Sequence, residues 1–366
     1  MRTVSRLPVL ALKIGLACAL VFLGALGATL LRDSGDSWSI LNRDEDEYAS
    51  LRRGQRSFAL PLNNPVVLPV PMATHMTPDD LVFGVIVKGQ ARAYPRWILL
   101  NYHVVNDVIK DEPIYLAHCE ACTASSAFRS TLDAVLKGTL SFMICGARAG
   151  TFEVCDNQTL SRWHPFTGIA RQGRLKGAAM ERIPVVLEKW KTWADRFPDG
   201  EVVHAHPILR ERAHGRRTPN DLVYPDAIPR DMARTANLAD KRLPTNAFVF
   251  GVSDASQARA VAVPLDVIER SGKLHRLEFH GGVYLFLKQG DYGVTAFKLQ
   301  AGLADQKYRI VAGEPFVLTS DAGGRWNELG APYPDSSIKE SLVVADGYLT
   351  AWYEWVSAYP KTEIAK

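Results

Sequence analysis

The sequence predicts an α+β fold that is mainly β and consists of two tandem copies of one β-rich domain. Three observations lead to this prediction. Short apolar runs alternate with turn residues through most of the chain, which is typical of a β-sandwich or a barrel-like domain. Several sequence blocks from the first half recur at the same spacing in the second half. A hydrophobic segment near the N-terminus stands apart from both copies.

The overall length and charge set limits on function. A chain of 366 residues favours two domains over one. The net charge of +4 is small for this length, and no basic stripe interleaved with aromatic residues is present. We therefore expect no nucleic-acid partner. Phosphate-binding loops, dinucleotide fingerprints and Gly-x-Ser-x-Gly elbows are also missing from the sequence, so it carries no signature of those enzyme classes.

Residues 1–31 have the pattern of an export segment. Three basic residues precede an uncharged run from Ile14 to Leu31. This run is longer than a usual signal-peptide core and just long enough to span a bilayer. A cleaved signal peptide and an uncleaved signal anchor therefore both stay open. The flanking charges predict that the body lies on the periplasmic side of the inner membrane, anchored or released. Residues 32–56 are polar and predict a spacer.

Local signals predict individual elements along the body. Residues 59–80 are rich in proline and predict an extended lead-in. Residues 81–94, with a turn around Gly89, predict a β-hairpin. Residues 188–197 carry apolar side chains at i, i+3, i+4 and i+7 and are followed by Pro198, which predicts an amphipathic helix that ends there.

An internal duplication organises the body. The matching blocks are Val82-Phe83-Gly84-Val85 and Val249-Phe250-Gly251-Val252, Gln90-Ala91-Arg92-Ala93 and Gln257-Ala258-Arg259-Ala260, Ala127-Phe128-Arg129 and Ala296-Phe297-Lys298, and the pairs Trp190/Trp193 and Trp352/Trp355. Because the matches keep one order, they predict copy A over residues 57–206 and a degenerate copy B over residues 247–366. Residues 207–246 are predicted to form a linker.

The densest chemistry of the chain lies in Ala117-His118-Cys119-Glu120-Ala121-Cys122. Two thiols three positions apart can chelate one soft metal ion, close a redox disulfide or staple the fold. Two further cysteines of copy A, Cys145 and Cys155, bring the number in the exported body to four. An even number of cysteines in an oxidising compartment favours disulfides, so all three interpretations stay open.

A metal site is one of these interpretations. Its candidate ligands are His118, Cys119, Cys122, Cys145 and Cys155. Thiolate and imidazole ligands suit copper and zinc equally well on sequence grounds, so the predicted cofactor is a copper or zinc ion.

The duplication serves as an internal control for this chemistry. His118, Cys119 and Cys122 align with Leu287, Lys288 and Asp291, and copy B contains no cysteine. Any thiol chemistry therefore belongs to copy A. The candidate catalytic residues are Cys119 and Cys122, together with His103 and Asp107 as a base or a ligand with a supporting carboxylate.

Copy A also carries a family resemblance between about residues 80 and 203. The residues that carry it are Gly89-Gln90-Ala91-Arg92-Ala93-Tyr94-Pro95, His103-Val104-Val105-Asn106-Asp107, Cys119-Glu120-Ala121-Cys122, Phe128, Cys145-Gly146, Asp156, Thr159, Trp163, Gly168, Thr192-Trp193 and Pro198. In this order and spacing the segment resembles a family of exported bacterial proteins known as domain of unknown function 3179. The resemblance implies an exported bacterial protein, and it implies no particular reaction.

Two functional hypotheses follow. The first is an extracytoplasmic metal-binding or thiol-redox protein with its Cys/His site in copy A. The second is a non-catalytic extracytoplasmic binding or scaffold module whose cysteines form structural disulfides. The sequence does not decide whether the protein is an enzyme, and it indicates no ligand or substrate.

Overall fold

Short strands separated by tight turns dominate the computed structural model, which describes residues 60–132, 136–206, 208–214, 228–254, 259–289, 293–311 and 317–366. Six sheets of three to five strands are arranged as a six-bladed β-propeller in this part of the chain. The prediction of two tandem sandwich or barrel-like domains is therefore wrong. Alternating apolar residues reveal where strands lie, but they do not specify how sheets pack around one another.

The first half contains three of the blades. Its elements are β1 (Leu62–Asn63), β2 (Val67–Pro69), a 3-10 helix (Val70–Met72), β3 (Leu81–Val87), β4 (Gln90–Pro95), α1 (Arg96–Tyr102), β5 (Val104–Ile109), β6 (Glu112–His118), β7 (Ser125–Arg129), β8 (Thr131–Leu132), β9 (Leu136–Thr139), β10 (Phe142–Arg148), β11 (Thr151–Asp156), β12 (Arg162–Trp163), β13 (Ala170–Gln172), β14 (Arg182–Ile183), β15 (Val186–Lys189), α2 (Trp190–Arg196), β16 (Glu201–Val203), α3 (Ile208–His214) and α4 (Arg230–Thr235). The sheets have the orders β15-β3-β4-β16-β2, β1-β5-β6-β7-β14 and β10-β11-β12-β13, and β8 pairs with β9.

The second half contains the other three blades. Its elements are β17 (Phe248–Ser253), β18 (Ala260–Pro264), α5 (Leu265–Arg270), β19 (Leu274–Phe279), β20 (Gly282–Gln289), β21 (Gly293–Leu299), α6 (Ala301–Ala304), β22 (Tyr308–Val311), β23 (Val317–Ser320), β24 (Arg325–Trp326), β25 (Val343–Val344), β26 (Gly347–Ala351), α7 (Trp352–Ala358) and β27 (Glu363–Ile364). The sheets have the orders β26-β17-β18-β27, β19-β20-β21-β25 and β22-β23-β24.

The two halves use the same pairing scheme. In the first half β3 pairs antiparallel with β4 and β15, and β16 adds to β4 in parallel. In the second half β17 pairs antiparallel with β18 and β26, and β27 adds to β18 in parallel. The meander β5-β6-β7-β14 has its counterpart in β19-β20-β21-β25. Each half therefore supplies three blades in the same chain order.

Two local predictions are confirmed. The hairpin of β3 and β4 turns at Lys88 and Gly89, which have φ of 48° and 77°. Two consecutive positive φ angles are typical of the two-residue type I′ turn, which matches the twist of the strands. The amphipathic helix before Pro198 is α2, whose residues Trp190 and Trp193 are buried.

Close packing of a helix on a sheet recurs in both halves. Gly84 of β3 lies against the Trp193 ring of α2, and a Cβ atom at Gly84 would lie 2.0 Å from that ring. Gly251 of β17 lies against the Trp355 ring of α7, where the corresponding distance is 2.2 Å. Glycine is the residue that lets the helix approach the sheet so closely.

One hydrophobic core joins the two halves. Its members include Phe142 and Trp163 from the first half and Trp352, Trp355 and Val356 from the second half. All five side chains are fully buried. The halves therefore do not bury their apolar surfaces independently, as two tandem domains would.

The predicted linker contains ordered helices. In α3, the backbone carbonyl of Leu209 accepts a hydrogen bond of 3.1 Å from the side chain of Asn101 in α1. In α4, Met232 is buried in the core that joins the halves. The predicted export segment and spacer lie outside the described residues. Among the residues that are described, no helix is long and apolar enough to cross a membrane.

Candidate functional site: a buried dithiol

The two cysteines of the Cys-x-x-Cys sequence lie in the tight connection between β6 and β7. The amide of Cys119 donates a hydrogen bond of 2.9 Å to the carbonyl of Ala124, which closes the turn, and Thr123 adopts a φ of 59° within it. Cys119 and Cys122 are free cysteines that are 1% and 0% exposed. The turn therefore presents two thiols to the protein interior.

The two thiols have opposite protonation tendencies. Burial disfavours the thiolate of Cys119, but hydrogen bonds from the Cys122 thiol, the Cys122 amide, the Thr151 hydroxyl and the Ala121 amide outweigh it and lower the pKa of Cys119. Burial raises the pKa of Cys122 well above its usual value, and the neighbouring Cys119 thiolate raises it further. The Cys122 sulfur also lies 3.7 Å from the Thr151 hydroxyl. The pKa values of the two thiols are therefore shifted in opposite directions, so Cys119 loses its proton more readily than Cys122.

The second half holds this turn in place. The carbonyl of Cys122 accepts a hydrogen bond of 3.0 Å from the amide of Ala351 and one of 3.2 Å from the hydroxyl of Thr350. Both donors lie at the end of β26, directly before α7. A backbone contact of this kind fixes where the second cysteine stands relative to the start of that helix.

A buried carboxyl group lies beside the dithiol at the start of α7. Glu354 is 0% exposed. The Tyr348 hydroxyl donates to its carboxylate, and the hydroxyl oxygen lies 3.1 Å from each of the two carboxylate oxygens. Burial raises the pKa of Glu354 to about 7, and the hydrogen bond from the Tyr348 hydroxyl, which favours the charged form, opposes this shift. The carboxylate in turn raises the pKa of Cys122. Glu354 and Cys122 are therefore electrostatically coupled.

His164 lies on the other side of this carboxyl group. Its Nε2 is 3.2 Å from Oε1 of Glu354. Its Nδ1 accepts hydrogen bonds from the amides of Phe166 and Thr167, at 3.3 and 3.2 Å. The proton of the neutral ring is therefore on Nε2, which faces Glu354. Burial lowers the pKa of His164 well below its usual value, so the ring is neutral near pH 7.

Cys145 and Cys155 do not belong to this site. They form a disulfide between β10 and β11, and Cys145 lies at the register shift between Ile144 and Gly146. Because the bond occupies both sulfurs, the prediction that Cys145 and Cys155 serve as thiolate metal ligands does not hold in this structure. Within the described ranges, no group of three or more His, Cys, Asp and Glu residues is placed to hold a metal ion.

The two predicted histidines lie next to the turn. Nδ1 of His103 is 3.1 Å from the carbonyl of His118, and Nδ1 of His118 is 3.2 Å from the carbonyl of Ala124. Burial lowers the pKa of His118 well below its usual value, and the positive charge of Arg96 adds to this effect. His118 is therefore neutral, and both histidines brace the backbone on either side of Cys119.

Asp107 has a structural environment. One of its oxygens accepts a hydrogen bond of 2.8 Å from Arg92 and one of 2.6 Å from the Tyr94 hydroxyl. Arg92 also pairs with Glu201 at 2.6 Å, so the network links β4, β5 and β16. These partners place Asp107 in an ion pair between strands. None of them belongs to the turn that carries Cys119 and Cys122.

Sequence reasoning missed Glu354, His164 and Tyr348. Glu354 lies between Trp352 and Trp355, and the repeat aligns it with Thr192 of the first half. The signal in the sequence was a charged residue between two tryptophans that are predicted to be buried, present in only one of the two copies. His164 had the same signal, because it follows Trp163 but has no counterpart after Trp326.

Comparison with known proteins identifies the family to which this chain belongs. The sequence matches the family DUF3179, described as a protein of unknown function, over residues 60–364. This match extends the resemblance seen in copy A through the second half, so both halves belong to the unit that defines the family. No curated protein matches the chain. No solved structure matches it either.

Proposed function

This chain belongs to the DUF3179 family, and we propose that it is an extracytoplasmic thiol-redox protein whose Cys119 and Cys122 exchange electrons as a dithiol and disulfide. The observation that carries this proposal is a pair of free, buried thiols three positions apart in one turn, Cys119 with a lowered pKa and Cys122 with a raised pKa. Such an asymmetric pair supplies one attacking sulfur and one resolving sulfur.

The proposed reaction takes place in two steps. The Cys119 thiolate attacks one sulfur of a small disulfide RS–SR, so that a Cys119–SR bond forms and RS⁻ leaves and takes a proton from water. Cys122 then loses its proton, and its sulfur attacks the Cys119 sulfur. A Cys119–Cys122 bond forms and the second RS⁻ leaves. Two electrons pass from the protein to the substrate, and the reverse sequence oxidises a dithiol.

Burial of the site restricts the substrate. Cys119 and Cys122 are 1% and 0% exposed, so every disulfide substrate reaches a sulfur only when the turn is displaced, and a folded protein requires a larger displacement than a small molecule. Thiol exchange requires direct access of one sulfur to the other. We therefore propose small disulfides and dithiols as the substrate class.

The Cys145–Cys155 disulfide supports an extracytoplasmic location. Structural disulfides form and persist in oxidising compartments such as the periplasm. The same bond is what the alternative hypothesis, a binding module with structural disulfides, expects of these two cysteines. Cys119 and Cys122 are free, so that hypothesis leaves their chemistry unexplained.

The protonation tendencies favour redox exchange over metal binding at this pair. A copper or zinc ion bound by both sulfurs needs two thiolates. The pKa of Cys122 is raised by burial and by the charges of Cys119 and Glu354, which opposes the second deprotonation. Redox exchange needs only one thiolate at a time.

Reaction with oxidised glutathione tests the proposal. Protein recovered with reductant and freed of metal by a chelator is mixed with oxidised glutathione, and its thiols are alkylated and located by mass spectrometry. We expect wild type to form the Cys119–Cys122 bond. Cys122→Ser should stop at one glutathione on Cys119, and Cys119→Ser should not react.

The matched control removes the other pair of cysteines. The double variant Cys145→Ser/Cys155→Ser should still form the Cys119–Cys122 bond, because the disulfide that this variant lacks involves neither Cys119 nor Cys122. Folded wild-type protein that keeps both thiols reduced at every glutathione ratio would refute the redox proposal. Stoichiometric copper or zinc that is lost in Cys119→Ser would replace it with metal binding.

A further inference from the structure

We infer that His75 and His204 form a second site, which binds one copper(II) ion. The two side chains lie at the edge of the first blade where β16 pairs with β2; His75 follows the 3-10 helix and His204 follows β16. Their ring centroids are 4.8 Å apart, and the ring planes are nearly perpendicular, at 86°. Neither residue belongs to the dithiol turn, so this inference is independent of the proposed redox function.

The hydrogen bond of His75 determines which of its ring nitrogens is available. Nε2 lies 3.3 Å from the carbonyl of Val203, and a carbonyl oxygen only accepts, so the ring proton is on Nε2. Nδ1 of the neutral ring then carries a lone pair. Burial lowers the pKa of His75, and the neighbouring His204 and Arg210 add to this effect, so the ring is neutral near pH 7. Metal-bound histidines commonly have this arrangement, in which the nitrogen away from the ion donates to a carbonyl.

The Nδ1 atoms of both rings are buried, and within the described part of the chain neither has a hydrogen-bond partner. Buried polar atoms are nearly always paired, because an unpaired one has given up its bond to water without replacement. The rings of His75 and His204 are in contact, yet their Nδ1 atoms do not hydrogen-bond to each other. With the proton of His204 on Nε2 as well, a metal ion that accepts a lone pair from each Nδ1 satisfies both atoms at once.

The backbone holds both histidines in place. The carbonyl of His75 accepts a hydrogen bond of 2.5 Å from Arg210, whose guanidinium also pairs with the buried carboxylate of Asp80. The amide of His204 donates a hydrogen bond of 2.8 Å to the carbonyl of Val66. Because Asp80 balances the charge of Arg210, this arginine does not repel a cation from the site. Both ligands are thus fixed to neighbouring segments of the fold.

The donor set favours copper(II). Two imidazole nitrogens together with water oxygens suit the tetragonal geometry of this ion, and among the divalent first-row metals copper(II) generally binds such a site most tightly. Both histidines are only partly buried, so solvent supplies the remaining ligands. No third His, Cys, Asp or Glu of the described ranges joins the pair.

The second half of the chain provides an internal comparison. The repeat aligns His75 with Arg242 and His204 with Lys366. Arg242 donates a hydrogen bond of 2.8 Å to the carbonyl of Thr362, so it joins the segment before β17 directly to the segment before β27. The cations of arginine and lysine have no lone pair for a metal ion. The histidine pair is therefore a feature of the first half, and the fold forms without it.

Copper binding is tested on the full-length variant Cys119→Ser/Cys122→Ser, which lacks the thiols that copper(II) would oxidise or bind. We expect one copper(II) ion per chain in a titration against a competing chromogenic chelator. His75→Gln and His204→Gln, each added to this background, should weaken binding by at least about tenfold, because each removes one of the two protein ligands. Copper should also raise the thermal midpoint of the background protein and of neither histidine variant.

Two further variants serve as controls. His280→Gln removes a histidine of the second half, which contacts Arg259 and Glu363, and should leave the copper affinity unchanged. His206→Gln removes the next histidine after His204 and should also keep this affinity. Equal circular dichroism spectra of all variants would exclude misfolding. Electron spin echo envelope modulation needs no histidine substitution, and it should detect two imidazole rings on the bound copper.

Several results would overturn the inference. These are no copper binding by the serine background, a spectrum with fewer than two imidazole rings, and binding that His75→Gln leaves intact. If His206→Gln abolishes binding while His75→Gln does not, the ion belongs to the exposed pair His204 and His206 instead. Copper that no histidine substitution weakens would be an adventitious ion only. None of these results bears on the redox proposal, which the glutathione reaction tests in protein freed of metal.

Discussion

Glu354 makes the stability of the fold depend on pH. An unfolded glutamate has a pKa of 4.5, and burial raises this value to about 7 in the folded protein. Between these values the folded state keeps a proton that the unfolded state has released. Folding is therefore favoured by this residue at low pH, and the contribution is lost as pH rises through 7. His164 acts in the opposite sense, because burial lowers its pKa.

We predict that Glu354→Gln removes this dependence. The difference in free energy of unfolding between wild type and the variant should shift by roughly 3 kcal/mol between pH 4.5 and pH 8, with wild type losing stability as pH rises. Urea unfolding of the reduced proteins across this range measures it. Contacts that the substitution removes change the free energy of unfolding by nearly the same amount at every pH. If the stability curves of wild type and variant run parallel with pH, the pKa of Glu354 is not raised.

At the scale of the residue, the sequence indicated half of the site. Cys119 and Cys122 stood out because two thiols within four positions carry their own chemical meaning. The partners of this pair were not recognisable in the same way. Thr350 lies 228 positions from Cys122, and no local pattern links them. His103 lies beside the turn and Asp107 forms an ion pair with Arg92, and the catalytic roles proposed for both from the sequence stay predictions.

At the scale of the element, each half contains one contact in which a helix tryptophan packs directly on a strand glycine. Trp193 and Trp355 are both 0% exposed and rest on Gly84 and Gly251. A side chain at either glycine would displace the indole ring or the helix that carries it. Dense packing leaves no free volume into which the ring can move.

We predict that Gly84→Ala and Gly251→Ala each lower the free energy of unfolding by about 2–3 kcal/mol, which is the typical cost of overpacking a core. Gly302→Ala in α6 is the matched control, since a Cβ atom there has no neighbour within 4 Å. It should be neutral or stabilise the protein by up to about 1 kcal/mol. Chemical denaturation measures all three. If Gly84→Ala and Gly302→Ala change the free energy of unfolding equally, the close packing of Trp193 does not require glycine at position 84.

Elements were predictable where local chemistry determines them. Gly89 identified the turn of the first hairpin, and the tryptophan spacing with Pro198 identified α2. The sandwich or barrel was a poor prediction because blades of three to five strands give the same short alternating pattern. Closure into a ring depends on contacts between sheets, which single strands do not encode.

At the scale of the whole molecule, the two halves depend on each other. The core that joins them includes Phe142 from the first half and Val356 from the second. The dithiol turn lies where the halves meet, because Ala351 and Thr350 bind the Cys122 carbonyl. The chain should therefore unfold as one cooperative unit.

We predict that Val356→Ala lowers the free energy of unfolding by about 2 kcal/mol, the scale of a core truncation. Hydrogen exchange followed by mass spectrometry should show the same loss of protection in β10–β11 of the first half and β17–β18 of the second. Val343→Ala is the control, because Val343 is 46% exposed and should change neither. Loss of protection confined to the second half would contradict a shared core.

The repeated set of three blades has a consequence for symmetry. A protein that contained only one half would carry three blades and two open ends. Two identical copies related by a two-fold axis are the simplest way to close such a ring. That dimer would contain two equivalent turns, each facing the helix start of its partner. In the present chain only the turn of the first half carries thiols, and the helix that follows Thr350 and Ala351 carries the carboxyl group of Glu354. Joining the halves covalently allows each to specialise in one part of a single site.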